Sequence, residues 1–97
     1  MSFGQYIRSI REDKQLLLRE VASQMNIDTA LLSKIELGTR VARREHVEAL
    51  ASVLNVSKKE LIKIWLADKI MILLKDETNK DEILKVAEDE IKYLRKK

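Results

Sequence analysis

The stretch "NIDTALLSKIELGTRVARR", Asn26 to Arg44, decides how the rest of the chain is read. Asn26 tolerates the left-handed conformation that closes a helix, and Asp28 can cap the N–H groups of the next one. Leu31, Leu32 and Ile35 then recur at helical spacing, and Gly38 is a natural residue to end the segment. Thr29, Ala30, Ser33 and Lys34 are left for the outer face. Three arginines follow, Arg40, Arg43 and Arg44. The expectation is a short helix with an apolar inner side, a polar outer side and a basic tail.

Working outward toward the N-terminus, Leu18, Val21, Ala22 and Met25 mark a preceding short helix. Before it, Phe3, Ile7 and Ile10, with Tyr6 beside them, predict a first helix from about Ser2 to Lys14. Ser2 is its N-cap and Gln5 the capping-box partner. In the other direction, Val47, Leu50, Ala51 and Leu54 predict a fourth helix from about Arg43. "NVS" breaks it, and Ser57 and Glu60 have the spacing of another capping box. A fifth helix runs from about Lys58 to Lys75, "DETN" makes a turn, and Lys80 to Arg95 forms a sixth. The absence of proline, with only two glycines, agrees with an all-α chain.

Ninety-seven residues make one small domain, or one domain plus an appendage. The absence of cysteine removes disulfides and thiolate ligands and suits a reducing compartment. No window approaches the roughly 18 apolar residues of a membrane span, and the N-terminus lacks a signal pattern. A cytoplasmic protein with no membrane partner is the expectation. The net charge of +3 sits wholly in residues 1–59, with ten Lys/Arg against seven Asp/Glu, while residues 60–97 hold nine of each. Charge runs are ordinarily solvated faces, so the basic cluster gains meaning from its place after the third helix.

Two short helices joined by a tight turn, the second followed by glycine and arginines, form a helix-turn-helix arrangement. A major groove admits an α-helix. Thr29 can hydrogen-bond either class of base, Ala30 permits close approach or a thymine-methyl contact, and Lys34 can donate to guanine or phosphate. Arg40, Arg43 and Arg44 would hold phosphates, which fix register and supply salt-dependent affinity. His46, with only Glu45 and Glu48 near it in sequence, makes no zinc site. The two glycines make no phosphate-cradling loop, and no motif points to catalysis. The expectation is a non-enzyme with no metal and no cofactor.

The segments "IRSIRED", "LREVASQMNID", "LLSKIELGTR" and "VEALASVLNVSKKEL" together resemble the phage-repressor/Cro-type helix-turn-helix domains, often called the Xre family. The resemblance covers about Phe3 to Leu66. It implies a five-helix repressor-like domain over residues 1–66, generally dimeric, that binds a short operator and regulates transcription, followed by a helical extension over 67–97. Carried over by position, base reading falls on Thr29, Ala30 and Lys34, with Leu31 and Ser33 beside them. Phosphate contact falls on Leu18 and Arg19 at the start of the second helix, and on Arg40 and Arg43. A buried structural ion pair falls on Arg11 and Glu36. The sequence departs from the family pattern in four places. Leu17 and Leu18 stand where Ser/Thr-Gln is usual, Gln15 where glycine is common, Ala42 where proline is frequent, and Leu37 where a polar residue is usual.

"LIKIWLADKIMILL", Leu61 to Leu74, is apolar most of the way round a helix and must be buried on more than one side. One side closes the five-helix core. The other is covered either by the sixth helix folding back or by a second subunit. The second option makes a homodimer through Trp65, Ile70, Leu73, Leu74, Leu84, Ile91 and Leu94. Two-fold symmetry would set two reading helices about 34 Å apart and call for a near-palindromic operator. The leading expectation is a dimeric, sequence-specific regulator of transcription on double-stranded DNA, acting as repressor or autoregulator. The alternative is an antitoxin-like or adaptor protein that uses its apolar C-terminal helices to hold a partner.

Overall fold

Each helix starts and stops where the local chemistry dictates. At the first N-terminus the Ser2 hydroxyl accepts the Gln5 N–H at 3.2 Å, while the Gln5 side chain accepts the Ser2 N–H at 2.9 Å. Asp28 caps the third helix through its carboxylate to Ala30 N–H, at 3.5 Å. Ser57 caps the fifth through Glu60 N–H at 3.2 Å, without the return bond of a full capping box. Asn26 and Asn55 close the second and fourth helices at φ 59° and 54°. In this computed structural model, which describes residues 1–96, the elements are α1 Phe3–Asp13, α2 Leu18–Met25, α3 Thr29–Leu37, α4 Arg44–Leu54, α5 Lys58–Leu74 and α6 Lys80–Arg95. There is no strand among the described residues. The fold is all-α, as the patterning requires.

The first four helices and the first half of α5 enclose one core. Ile7, Val21, Leu32, Val47, Leu50, Leu54 and Leu61 are fully buried there, each contributing about 1.5–3 kcal/mol by leaving water. Gly4 lets α1 lie directly on the end of α3. A Cβ at that position would sit 2.4 Å from the Glu36 carbonyl oxygen and 2.5 Å from that of Ile35. Both are backbone atoms that cannot swing aside.

Trp65 belongs to this core and not to a surface for a second subunit, which corrects the expectation. Its side chain is 6% exposed, and its indole N–H donates to the Ala42 carbonyl at 2.9 Å. A buried indole N–H needs an acceptor inside the chain, and the loop between α3 and α4 supplies it. Leu74, at 4% exposure, is also closed off within the chain and is corrected in the same way. Ile70, Leu73, Leu84, Ile91 and Leu94 remain exposed.

The second half of α5 runs out of the core without a break, and α6 follows after a short turn. No residue of α6 is buried, so the sixth helix does not fold back as a lid over the core. The Cα radius of gyration is 15.7 Å, against about 12.5 Å for a compact domain of this length. The α5–α6 arm accounts for the difference.

Candidate nucleic-acid interface

The α2–turn–α3 unit is assembled by backbone geometry first. Asn26 takes the left-handed conformation, Ile27 N–H returns to the Ala22 carbonyl at 3.0 Å, and Asp28 opens α3. Leu32, Ile35 and Glu36 face inward. Thr29, Ala30, Ser33, Lys34 and Leu37 fall on the opposite side, because positions spaced by three, four, seven and eight residues share a helical face. Thr29, Ala30 and Lys34 are exposed and Ser33 half-buried. Leu31 lies at the border and packs partly against the core. Leu37 is 66% exposed in the middle of this face, near the C-terminal end of the helix. That placement sets Leu37, one of the departures from the family pattern, on the same outward face as Thr29, Ala30, Ser33 and Lys34. The same 3.6-residue spacing already contained the signal.

α3 is held from below by Arg11. Its guanidinium donates to both Glu36 carboxylate oxygens, Nε to Oε2 at 2.7 Å and Nη2 to Oε1 at 3.0 Å, and its remaining Nη1 donates to the Leu16 carbonyl at 2.9 Å. The side chains are 12% and 5% exposed. The Glu36 hydrogen bond raises the Arg11 pKa above its ordinary value against the opposing effect of burial. One cation thereby ties the end of α1, the turn into α2 and the last turn of α3 into a single block. No buried side-chain polar atom among the described residues is left without a hydrogen-bond partner.

The basic loop is fastened at both ends. Gly38, at φ 81°, turns the chain so that Gly38 N–H reaches the Ile35 carbonyl at 3.2 Å and Thr39 N–H reaches that of Lys34 at 3.0 Å. This pairing satisfies the last carbonyls of α3. At the other end Trp65 holds the Ala42 carbonyl, and the Arg44 guanidinium lies 5.4 Å from the centroid of the Trp65 ring. Arg40, Arg43 and Arg44 are exposed on this loop and on the first turn of α4. Arg43 has one long, solvated contact to Glu45 at 3.9 Å. Among the described residues Arg19, Lys34 and Arg40 make no ion pair.

The start of α2 is less well equipped. Leu17 occupies the N-cap with no side-chain acceptor, and its own N–H is taken by the Glu20 carboxylate at 2.8 Å. Leu18 is half-buried against the core, so it can offer a phosphate only its backbone N–H. Arg19 is exposed beside it. No group of three or more His, Asp or Glu side chains suited to a metal ion occurs among the described residues, and no described helix is long and apolar enough to cross a membrane.

A family profile described as a helix-turn-helix domain matches residues 2–62. The chain belongs to the helix-turn-helix domain family. The match takes in α1 to α4 and the start of α5, the elements that carry and support α3 and its basic loop. It marks the chain as a DNA-binding helix-turn-helix protein with an all-helical fold. No curated protein and no solved structure matches the chain.

Proposed function

We propose that the protein is a sequence-specific regulator of transcription of the phage-repressor/Cro (Xre) type, binding a near-palindromic operator as a homodimer. The observation that carries this reading is the outward face of α3, where Thr29, Ala30, Ser33 and Lys34 are joined at their C-terminal end by the exposed, doubly fastened arginine loop. Thr29, Ala30, Ser33 and Lys34, with Leu31 at the border, read base edges in the major groove. Arg40, Arg43 and Arg44 hold phosphates on one side, and Arg19 with the Leu18 N–H holds them on the other. Blocking a promoter, as repressor or autoregulator, is the simplest consequence of such occupancy. Dimerisation uses the apolar residues left exposed beyond the core, Ile70 and Leu73 on α5 and Leu84, Ile91 and Leu94 on α6.

Selection of bound sites from random double-stranded DNA tests this directly. The expected outcome is one enriched motif with two half-sites about one helical turn apart. Affinity should fall steeply with added salt, and the Thr29→Ala/Lys34→Ala double variant should lose discrimination between bases. Binding that is salt-insensitive, or unchanged in the double variant, overturns the assignment. The exposed apolar arm favours a second reading, an antitoxin-like or adaptor protein whose C-terminal helices grip another protein. In that case the same double variant keeps full function, and charged substitutions on the arm abolish it.

A further inference from the structure

α6 carries a heptad seam of its own. Leu84, Ala87, Ile91 and Leu94 are spaced by three, four and three residues and lie on one side of the helix, with every one of them exposed. A helix of 16 residues with such a stripe and no buried residue is incomplete in isolation. In heptad terms Leu84 and Ile91 take the a positions, and Ala87 and Leu94 the d positions. Ile91 at a with Leu94 at d is the combination that favours two strands.

The charges beside the seam decide the orientation. Lys85 pairs with Asp89 at 3.2 Å on the solvent side, and Lys92 pairs at 2.9 Å with Glu88, which itself flanks the seam at an e position. Glu90 and Arg95, which flank the seam at g and e, make no ion pair among the described residues. In a parallel, in-register pair the g position of one helix meets the following e position of the other. Glu90 then faces Arg95 of the second copy, twice by symmetry. An antiparallel pair in the register that matches the same apolar layers would instead bring Glu90 near Glu90 and Glu88 near Glu88, which is repulsive.

We infer that α6 pairs in parallel and in register with α6 of a second copy of this chain, forming a short two-stranded coiled coil locked by reciprocal Glu90–Arg95 pairs. The two-fold axis runs along the coil, so both helix-turn-helix bodies lie at the same end of it. This specifies the dimer of the proposed operator-binding reading and rests on that reading only for its purpose. Its test uses no DNA, so a failure here leaves DNA binding standing, and a failure to bind DNA leaves the coil standing.

The test is sedimentation of the full chain at micromolar concentration, together with charge exchange. Glu90→Arg and Arg95→Glu should each weaken association roughly three- to thirtyfold, and the double exchange Glu90→Arg/Arg95→Glu should restore it. Because the chain has no cysteine of its own, oxidative cross-linking reports geometry cleanly. Leu94→Cys should link two copies rapidly, and Asp89→Cys, on the solvent side, should not. Leu84, Ala87, Glu90, Ile91, Leu94 and Arg95 are all exposed, so helical content and unfolding of the body serve as controls that each variant remains folded. A monomeric wild-type chain, no recovery in the double exchange, or cross-linking through residue 89 in preference to residue 94 overturns the inference.

Discussion

The body of the molecule and its arm are made from the same few aliphatic residues, yet they stand in opposite conditions. Around Leu50 and Leu32 every side is filled, and polar intruders such as Glu36 and the Trp65 N–H have partners inside the chain. Along α6, Leu84, Ile91 and Leu94 present comparable apolar surface to solvent. Composition therefore does not tell a finished core from an unfinished one; enclosure does. Helical periodicity marks which residues share a face but not what meets that face.

Four single substitutions, one with a compensating partner, sharpen the contrast, ordered by the size of the expected effect. Arg11→Met with Glu36 retained should cost about 3–5 kcal/mol in a denaturant titration, because it leaves a buried carboxylate uncompensated. Replacing Glu36 by Leu in the same variant should recover most of that loss. Gly4→Ala should cost about 1–3 kcal/mol, since the new Cβ meets the carbonyls of Ile35 and Glu36. A thermal melt showing no loss would mean that α1 can lift off α3 freely. Gln15→Gly should stabilise by about 0.5–1 kcal/mol, because Gln15 sits at φ 57°, where a Cβ is unfavourable. Ile91→Ser, measured at concentrations where the chain is monomeric, should change unfolding by less than about 0.5 kcal/mol. A large effect there would make the arm part of the body after all.

Much of the body was legible in the sequence, for reasons that can be named. Ser2 with Gln5, Asp28, Asn26 and Gly38 act through bonds to residues a few positions away, so their roles follow from local spacing. The Arg11–Glu36 pair spans the fold and came from the family resemblance, not from spacing. Trp65 and Leu74 were misread because α5 is apolar nearly all round, and such a helix does not announce which sector its own core will take. The Trp65 bond to Ala42 joins residues far apart in sequence, and neither residue type demands it. Gly4 was silent for the same reason, since its value lies in what approaches it. The outward face of α3 was legible from helical spacing, and Leu37, a departure from the family pattern in the sequence, takes its place on that face.

Trp65 has a consequence of a different kind. It is the only tryptophan in the chain, its indole is bonded to the loop that carries the arginines, and Lys69 stands over its ring at 4.0 Å with Arg44 nearby. Its emission therefore reports on the junction between the core and the basic loop, undiluted by other indoles. The native chain is already labelled at the place where a polyanion would be felt, and a titration followed by intrinsic fluorescence needs no dye.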